Sequence, residues 1–540
     1  CNATSEEAVQ RIRKLKRRPV KPFAVMAQDL ETVKEVCQVS EEQEKILTGH
    51  QKPILLLDKL TEMSCGQKTD AKLIKYGKNI GKDQGRSEAE CGKPAELCES
   101  IAPGNPKVGV MLPYAPVQLL LFHYDDGIEM PKLLVMTSGN TSGAPICRDD
   151  HEAVEELSYL CDCILSHDRK IRIRADDSVM DFYKGEPYMI RRSRGYAPLP
   201  FMVSTPWKGQ VIAAGGELKN TFCIGVDNRF YPSPYVGDLE DLRTVKALRE
   251  TIGRLETLLE VQPKIVCCDM HPKYNSTMVA HEMELPMIQV QHHYAHILSC
   301  MTENDCQEPV IGVAFDGTGY GTDGTIWGGE ILLADYGNFT RFGSITPFLQ
   351  MGGDASAKEG WRIAVSMIYG YTKDRKRAWE IMETLGLCSE QESRVQFTMA
   401  DRKINAVAST SAGRLFDAVS AILGIRRRSG FEGEASTALQ FAAEAYEQQN
   451  LSNISQEQKE NKDILLHETK ERFVLNTQML VQQITEAKMR GEDTGMLAYR
   501  FHQVLAEMIT AACIKAKESS GRDKVALSGG VFQNRLLLRL

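Results

Sequence analysis

The sequence predicts an α/β protein made of two units that follow one another along the chain. Short apolar runs, which are typical of buried strands, alternate with longer stretches that carry a helical apolar stripe. The segment Thr205–Gly209, with a proline and a glycine, marks a linker between a first unit, residues 1–204, and a second unit, residues 210–540. A length of 540 residues is enough for three or four compact domains of roughly 150 residues each.

Composition excludes several classes of protein. The chain has 65 Lys and Arg against 72 Asp and Glu, a net charge of −7, so it is not a globally basic nucleic-acid coat. No apolar run reaches the ~18–20 residues of a membrane helix. Fifteen cysteines without a Cys-x-x-Cys pair indicate reduced thiols, not a disulfide framework or a zinc finger. We therefore expect a cytoplasmic protein with no membrane and no nucleic-acid partner.

The first unit is predicted to begin with a helix. A capping-box pair, Thr4 and Glu7, precedes a short apolar stripe at helical spacing. Two short apolar runs, Phe23–Met26 and Pro53–Leu57, are predicted strands. The stretch from about residue 60 to Ile101 is polar and poor in aromatic residues, and it is predicted to be a flexible surface insertion.

The segment Arg11–Lys21 is the first candidate site, with seven Lys or Arg in eleven residues. Lys16 and Arg18 lie where the helix is predicted to end, so both side chains can turn into one cleft and hold phosphates or a carboxylate. A solvated helix face or an RNA-binding patch is the alternative interpretation of the same residues.

Small polar residues follow the apolar run Leu133–Val135 and give a second candidate site. Thr137, Ser138 and Asn140 offer hydroxyl, amide and backbone donors at the end of a predicted strand, an arrangement that suits a nucleotide or an acyl-phosphate oxygen. An ordinary Asn/Gly turn would have a similar sequence. A further basic loop in this unit carries three arginines, which are Arg191, Arg192 and Arg194.

The second unit alternates strands and helices more regularly. The run Gln210–Ala214 is its predicted first strand, and Leu242–Leu259 has the apolar spacing of a helix that faces a core. Ile265–Cys268 and Val310–Phe315 are predicted buried strands that end in Asp269 and Asp316, and Val525–Leu527 is the last predicted strand.

Three glycine-containing loops accompany strands of this unit, namely 215–222, 316–324 and 528–534. Glycine permits close approach of the backbone to an anion, and three such loops in one α/β unit indicate a two-lobed ATP site of the actin, hexokinase and Hsp70 type. The predicted nucleotide contacts are Lys219, Asn220, Asp316, Gly317, Thr318, Gly319, Gly321, Gly529, Gly530 and Asn534, with Asp417 as a ribose contact.

A histidine cluster, Gln291–His296, gives the strongest local signal. His292 and His296 are four residues apart, so on a helix they share one face and can bind one metal ion, with imidazole suiting zinc or iron. His293 would point away from that face, and Asp316 is a candidate third ligand. A cluster of histidines at a helix start without a metal is the alternative.

The first unit resembles the YrdC/Sua5 type of domain, whose signature is Lys-x-Arg followed later by Ser-x-Asn. Here these motifs are Lys16–Arg18 and Ser138–Asn140. The resemblance implies that ATP and a small carboxylate or carbamate bind in one cavity and form an acyl-adenylate. It implies catalytic roles for Lys16, Arg18, Ser138 and Asn140, and substrate contacts from Thr137, Arg192 and Arg194.

The second unit resembles the Kae1/TsaD type of domain of the ASKHA superfamily. The order of the two units, together with the motifs Gln291–His296, Asp316–Gly321 and Trp327–Glu330, resembles the HypF family of [NiFe]-hydrogenase maturation. The resemblance implies that carbamate derived from carbamoyl phosphate reacts with ATP and Mg²⁺ to give carbamoyl-adenylate. It further implies one divalent iron or zinc ion and transfer of the carbamoyl group to a C-terminal cysteine of a HypE-like partner, for cyanide ligand synthesis.

The chain also departs from the family pattern. Acylphosphatase and zinc-finger regions are expected before the first unit, and an Asp-Gly-Gly segment that supplies a metal ligand is expected after Leu540, so we interpret the sequence as a piece of a longer protein. An antibiotic O-carbamoyltransferase with a sugar hydroxyl acceptor is one alternative. A tRNA-binding threonylcarbamoyl-type protein is another, and the net charge of −7 argues against it. A sugar kinase or an Hsp70-like ATPase would explain the second unit only.

Overall fold

Strands and helices alternate along both parts of the chain, as the sequence predicts. The computed structural model describes residues 1–60, 96–454, 466–469 and 472–540. These residues form two compact units, one of Cys1–Leu199 with Ser233–Ala247, and one of Pro200–Pro232 with Leu248–Leu540. The predicted linker Thr205–Gly209 lies in the second of these units, where the ring of Trp207 packs edge-on against the rings of Phe230 and Tyr336.

The first unit is built on one mixed sheet with the strand order β4-β1-β3-β2-β5-β6. Its strands are β1 (Ala24–Ala27), β2 (Ile54–Asp58), β3 (Lys107–Met111), β4 (Leu133–Met136), β5 (Val179–Tyr183) and β6 (Glu186–Arg191). The pairs β1–β3 and β2–β5 are parallel and the other pairs are antiparallel. Val25, Leu55 and Val110 are fully buried, because these central strands are covered on both faces.

The helices of the first unit are α1 (Glu6–Leu15), α2 (Leu30–Val36), α3 (Glu41–Thr48), α4 (Pro116–His123) and α5 (Asp150–Leu157). The predicted capping pair is wrong by one residue, because the N-cap of α1 is Ser5, whose side chain accepts a hydrogen bond from the Ala8 N–H at 3.3 Å. Most of the predicted surface insertion, residues 61–95, lies outside the described residues. Ile101 is fully buried in the core, so the insertion does not extend to it as predicted.

The second unit contains two sheets. The first has the strand order β12-β11-β8-β9-β10-β7, and β11 is parallel to both of its neighbours. Its strands are β7 (Phe201–Met202), β8 (Gln210–Ala213), β9 (Cys223–Val226), β10 (Arg229–Pro232), β11 (Ile265–Asp269) and β12 (Met287–Val290). The predicted loop 215–222 therefore connects the antiparallel pair β8 and β9.

The second sheet of this unit has the order β16-β17-β14-β15-β19-β18, with β13 paired to β14 and to β20. Its strands are β13 (Val310–Tyr320), β14 (Ile326–Ala334), β15 (Phe339–Ile345), β16 (Phe348–Met351), β17 (Ala406–Ser409), β18 (Leu466–Glu468), β19 (Phe473–Leu475) and β20 (Val525–Ser528). The glycine segment predicted to follow the Val310 strand is instead partly strand, because β13 continues to Tyr320 across an irregular register between Phe315 and Gly319.

The remaining helices are α6 (Leu242–Leu259), α7 (Asn275–Glu282), α8 (His292–Glu303), α9 (Ala355–Lys358), α10 (Gly360–Thr372), α11 (Arg375–Thr384), α12 (Glu390–Arg402), α13 (Ala412–Ile422), α14 (Glu434–Ile454), α15 (Thr477–Met489), α16 (Thr494–Ser520) and α17 (Arg535–Arg539). Helix α6 has the predicted bounds, with Leu248 and Leu255 fully buried. The largest core joins α10, α13 and α16 through Trp361, Phe416 and Phe501. Among the described residues, no helix combines the length and apolar character needed to cross a bilayer.

Candidate active sites in the two units

Lys16 and the loop after β4 lie together in the first unit. Lys16 caps the C-terminal end of α1, and its Nζ donates to the Thr137 Oγ1 at 3.1 Å and to the Ser138 carbonyl oxygen at 2.8 Å. Strand β4 ends at Met136, so Thr137 and Ser138 begin the loop at the end of this edge strand. The structure therefore brings together residues that are more than a hundred positions apart in the sequence.

The same loop is held by its own side chains. The Ser138 hydroxyl donates to the Asn140 Oδ1 at 2.7 Å, and the Asn140 Nδ2 donates to the Ala144 carbonyl oxygen at 2.6 Å. These bonds fix the orientation of the Asn140 amide. The loop thus has a defined shape beside the ammonium of Lys16.

Lys16 and Arg18 are two cations whose charged forms are destabilised by burial and by neighbouring positive charges. Burial, followed by the nearby Arg18 guanidinium, lowers the pKa of Lys16 to about 8. Burial, together with Arg13 and Arg191, lowers the pKa of Arg18 to about 10. A bound anion would reverse both effects, so the electrostatics of this site favour an anionic ligand.

The predicted arginines of this unit already bind protein groups, which are backbone carbonyl oxygens and one carboxylate. Arg18 donates from Nε to the Lys21 carbonyl oxygen at 3.2 Å and from Nη2 to the Pro22 carbonyl oxygen. Arg194 pairs with the Asp177 carboxylate at 2.9 Å, and its two terminal nitrogens donate to backbone oxygens of the segment before β2. Arg192 donates to the Tyr196 carbonyl oxygen at 3.2 Å.

Two arginines that were not among the predicted site contacts, Arg13 and Arg191, shape the same region. The Arg13 Nε donates to the Ser100 carbonyl oxygen at 2.7 Å, and its Nη1 donates to the carbonyl oxygens of Arg18, Pro19 and Lys21. Arg13 therefore holds the turn that carries Arg18. Arg191, which the sequence indicated only as part of a basic loop, pairs with the Asp176 carboxylate at 3.0 Å.

The histidine motif of the second unit forms the first turn of α8. Gln291 is the N-cap, and its side chain accepts a hydrogen bond from the Tyr294 N–H at 2.9 Å. His292 Nε2 and His296 Nε2 each lie 3.4 Å from the Asp316 Oδ2. Ligand atoms of these three residues are within 4.8 Å of one another. Two imidazoles and a carboxylate at this spacing fit a zinc or iron ion, and Asp316 is the third group, as the sequence suggested.

Asp269 contacts the other nitrogen of His292, at 2.8 Å between Nδ1 and Oδ2. Burial alone would lower the pKa of His292, but the hydrogen bonds of Asp269 and Asp316 outweigh it and raise that pKa to about 9. His293 lies outside the three-residue set, as predicted. It is fully buried, and burial with the two neighbouring imidazoles holds its pKa well below the ordinary value.

Two of the three predicted glycine loops meet at Asp316. The Gly530 N–H donates to the Asp316 Oδ1 at 3.2 Å, and the Gly317 carbonyl oxygen accepts a bond from the Ser411 hydroxyl at 2.5 Å. A Cβ at Gly319 would lie 2.5 Å from the His293 Cε1, so only glycine lets β13 pass this close to the histidines. Thr318 is exposed on the same segment.

Gly321 and Gly529 also sit where a side chain would collide. A Cβ at Gly321 would lie 2.2 Å from the Trp327 Nε1, and a Cβ at Gly529 would lie 2.2 Å from the Phe315 carbonyl oxygen. Gly529 has φ +105° and ψ 157°, a region that is essentially restricted to glycine. The predicted last strand is present as β20, the glycine loop after it contains a 3₁₀ turn at Gly530–Gln533, and helix α17 follows.

The third predicted loop, residues 215–222, is held by an ion pair and by hydrogen bonds to its own backbone. The Lys219 ammonium pairs with the Glu432 carboxylate at 3.0 Å. The Asn220 Nδ2 donates to the carbonyl oxygens of Ala214 and Gly216 at 2.9 and 2.7 Å, so this amide closes the loop on itself.

Asp417 and Asn534 are buried and already have protein partners. The Asp417 carboxylate lies 3.0 Å from the Arg414 guanidinium, and burial raises its pKa to about 6. The Asn534 Nδ2 bonds to the His502 Nε2 at 2.8 Å, and its Oδ1 accepts the Leu537 N–H at 3.0 Å. The Asn534 amide thus caps α17 and links that helix to α16.

Glu330, the last residue of the Trp327–Glu330 motif, is fully buried beside these segments. It accepts bonds from the Arg341 Nε at 2.7 Å and from the Thr410 hydroxyl. Arg341 also stacks over the ring of Trp327, with 4.0 Å from its Cζ to the ring centroid. The sequence gave no local signal for Arg341 or Thr410, because they are brought to Glu330 only by the sheet.

Comparison with known proteins gives matches over both parts of the chain. The Sua5/YciO/YrdC family model, described as "Telomere recombination", matches residues 1–77 and 90–193. "HypF Kae1-like domain" matches 207–303, and "Carbamoyltransferase, Kae1-like Domain, second subdomain" matches 312–540. The "Carbamoyltransferase HypF homolog" of Cupriavidus necator is 34% identical over 334 residues, which cover 61% of this chain and 82% of that relative. This chain belongs to the HypF family.

Other members of the family match the whole chain. The "Carbamoyltransferase HypF" of Synechocystis sp. is 34% identical and covers 100% of this chain, which spans 65% of that relative's length. The crystal structure of full-length HypF in the phosphate- and nucleotide-bound form is 36% identical, with a TM-score of 0.84 over 100% of this chain and 76% of that chain. The crystal structure of T. kodakarensis HypF is 33% identical, with a TM-score of 0.83 over 100% and 66%. The expected fold, a YrdC-like domain followed by a Kae1-like domain, is confirmed.

Proposed function

We propose that this chain is an ATP-dependent carbamoyltransferase of [NiFe]-hydrogenase maturation. In this proposal residues 1–204 make carbamoyl-adenylate, and residues 210–540 transfer its carbamoyl group to the C-terminal cysteine thiol of a HypE-like partner. The observation that carries the proposal is the buried ammonium of Lys16, which lies on the Thr137–Ser138 loop with a lowered pKa. Membership of the HypF family supports the choice of substrate and acceptor.

The proposed first step joins carbamate to ATP. A carbamate oxygen attacks the α-phosphorus, the bond from that phosphorus to the bridging oxygen breaks, and pyrophosphate leaves with Mg²⁺. Two anions repel one another in a poorly hydrated cleft, so Lys16 and Arg18 would stabilise their approach. Ser138 and Asn140 would orient the carbamate, while Thr137, Arg192 and Arg194 would contact the nucleotide.

The proposed second step moves the carbamoyl group to sulfur. The partner's thiol loses its proton, the thiolate attacks the carbamoyl carbon, and the bond from that carbon to the phosphate oxygen breaks, which releases AMP and leaves a thiocarbamate. His292, His296 and Asp316 would hold one divalent ion, which supplies Lewis-acid polarisation when bound. The nucleotide part would lie on the glycine segments, with the remaining predicted contacts at Lys219, Asn220, Thr318, Asp417 and Asn534.

The proposal also includes the source of the carbamate and the cellular compartment of the reaction. Carbamate would derive from carbamoyl phosphate, and the protein would act in the cytoplasm without a membrane or a nucleic acid as partner. The electrostatics of the Lys16 site support an anionic substrate of this kind, because both Lys16 and Arg18 carry lowered pKa values that an anion would restore.

Carbamate-dependent exchange of pyrophosphate into ATP tests the first step. The chain is incubated with ammonium carbamate, Mg²⁺-ATP and labelled pyrophosphate. Exchange is expected in the wild type and lost in the variant with Lys16→Ala and Arg18→Ala. Lys14→Ala is the matched control, because Lys14 is exposed on the same helix, and it should retain exchange. Undiminished exchange in the double variant would reject the assignment of this site.

Metal analysis tests the second site. His292→Ala should lose the bound ion, whereas His281→Ala, a histidine on the neighbouring helix α7, should keep it. Full metal occupancy in the His292→Ala protein would reject His292 as a ligand.

A further inference from the structure

The imidazole of His292 has a second partner outside the three candidate ligands. Its Nδ1 lies 2.8 Å from the Asp269 Oδ2, while its Nε2 faces Asp316 at 3.4 Å. Both carboxylates can only accept a hydrogen bond, and the Nδ1 contact with Asp269 at 2.8 Å is the shorter of the two, so the single proton of the neutral ring lies on Nδ1. The lone pair of Nε2 then points towards His296 and Asp316, where a metal ion would be bound.

Asp269 is held rigidly by the fold. It is the last residue of β11, its side chain is only 6% exposed, and its Oδ1 accepts the His271 N–H at 2.9 Å. In the parallel pairing of β11 with β12, Asp269 lies opposite Val290, two residues before His292. Sheet register therefore sets the separation of the carboxylate and the imidazole, and neither side chain is on a free loop.

His296 lacks an equivalent constraint. Its Nδ1 lies 3.4 Å from the Ser528 hydroxyl, which can donate or accept a hydrogen bond. The hydroxyl therefore does not decide which nitrogen of His296 carries the proton. The two histidines therefore differ, because only His292 has an obligate acceptor at its Nδ1.

We propose that Asp269 is a positioning residue for the metal site, which fixes His292 as the Nδ1–H tautomer with Nε2 directed at the ion. Such outer carboxylates orient metal-binding histidines and raise their basicity, and their loss weakens metal affinity by roughly 10–100-fold. The inference rests on the metal site of the proposed function, but it is tested without carbamoyl transfer.

Zinc affinity of the full chain tests this assignment. Metal-free protein is titrated with Zn²⁺ against a chromophoric chelator, for the wild type, Asp269→Asn and Glu217→Gln. Asp269→Asn should weaken Zn²⁺ binding by roughly 10–100-fold, because the neutral amide is a weaker acceptor and can also present a donor to the ring. Glu217 accepts the Asn275 N–H at 2.7 Å at the start of α7 and acts electrostatically on the same His271 and Tyr274 side chains as Asp269, so Glu217→Gln controls for local disturbance and should keep wild-type affinity.

A tautomer measurement on the metal-free wild type reports the state of the ring directly. Nitrogen NMR of histidine-labelled protein at alkaline pH, where the His292 ring is neutral, should show its single proton on Nδ1, with the signal identified by its absence from the His292→Ala spectrum. A proton on Nε2, an Asp269→Asn protein that binds Zn²⁺ within threefold of the wild type, or an equal loss in Glu217→Gln would each overturn the inference.

A wild-type chain that binds no Zn²⁺ would overturn both this inference and the proposed metal site. Pyrophosphate exchange in the same samples separates the failures, because it reports the first unit alone and should be unchanged in Asp269→Asn.

Discussion

Replacing Lys16 with methionine removes a cation from a place where water cannot solvate it well. Lys16 is only 9% exposed, and its Nζ is bonded to the Thr137 hydroxyl and the Ser138 carbonyl oxygen. Methionine keeps most of the apolar stem and loses the charge, so the packing of α1 should change little. Lys16→Arg is the matched control, because the guanidinium stays charged throughout the accessible pH range.

The size of the effect follows from the pKa of Lys16. Burial and then Arg18 lower it from 10.5 to about 8. At ~1.4 kcal/mol for each pKa unit, the fold disfavours this ammonium by about 3 kcal/mol. A bound polyphosphate that restored the ordinary pKa would recover about that amount. We therefore expect Lys16→Met to weaken nucleotide binding to the first unit by roughly 100-fold at pH 7.

The charge of Lys16 also predicts that nucleotide affinity falls at high pH. Lys16 is protonated below about pH 8 and becomes neutral above it. Wild-type affinity should therefore be constant below about pH 7 and fall by up to roughly tenfold per pH unit above about pH 8, until the pKa of the complex is reached. Lys16→Met and Lys16→Arg should both lack this fall, the first at low affinity and the second at high affinity.

Isothermal titration with α,β-methylene ATP and Mg²⁺ between pH 6.5 and 9.5 measures both quantities. Binding to the site proposed in the second unit provides an internal reference, because Lys16→Met should leave it unchanged. Affinity of Lys16→Met within threefold of the wild type at pH 7, or a wild-type affinity that is flat up to pH 9.5, would refute the electrostatic reasoning.

Three further predictions concern stability. Gly529→Ala places a Cβ 2.2 Å from the Phe315 carbonyl oxygen in a glycine-only conformation, so it should lower the free energy of unfolding in urea by roughly 2–5 kcal/mol. The pKa of His502 is lowered by burial to about 4, so the contribution of its neutral form is complete above about pH 6.5 and should be lost, by about 3 kcal/mol, as the pH falls towards 4. Lys107→Met leaves the Asp181 carboxylate buried without its ammonium at 2.5 Å and should destabilise the first unit by roughly 3–5 kcal/mol.

Each of these stability predictions has a control. Gly521→Ala has a positive φ but open space around the new Cβ, so it should cost less than Gly529→Ala, and equal costs would contradict the clash. His502→Gln does not titrate, and a urea midpoint that falls as steeply with pH as in the wild type would contradict the role of His502. Adding Asp181→Asn to Lys107→Met should restore part of the lost stability, and no recovery would contradict the unpaired-charge explanation.

Local patterns predicted most of the strands and helices, and they predicted that His292, His296 and Asp316 lie together. Apolar runs identified the strands that include β1, β2, β11 and β20, and helical spacing identified Leu242–Leu259 with the observed bounds. The spacing of His292 and His296 was enough to place both imidazoles on one face of α8, since four residues make about one helical turn. Asp316 was a reasonable third ligand because it comes directly after a buried apolar run, although β13 continues through it to Tyr320.

These local patterns could not predict contacts between side chains that are far apart in the sequence. Nothing near Arg194 in the sequence indicates that its guanidinium pairs with Asp177, and the predicted anion contact competes with that bond. Asn534 was predicted as a nucleotide contact, but its amide is used to bond His502 thirty-two residues away. Asp269 did carry a signal, a carboxylate at the end of a buried strand, yet its pairing with His292 depends on the register of β11 and β12.

Transfer of label from carbamate to the C-terminal cysteine of a HypE-like partner tests whether the reaction is divided between the two units. The chain is incubated with ¹⁴C-carbamate, Mg²⁺-ATP and a HypE-like partner, and both pyrophosphate exchange and labelled partner are measured. We expect Lys16→Met to lose exchange and transfer together, and His292→Ala to keep exchange and lose transfer. If Lys16→Met still labelled the partner at the wild-type rate, or if His292→Ala lost exchange as well, the division of the reaction between the two units would be contradicted.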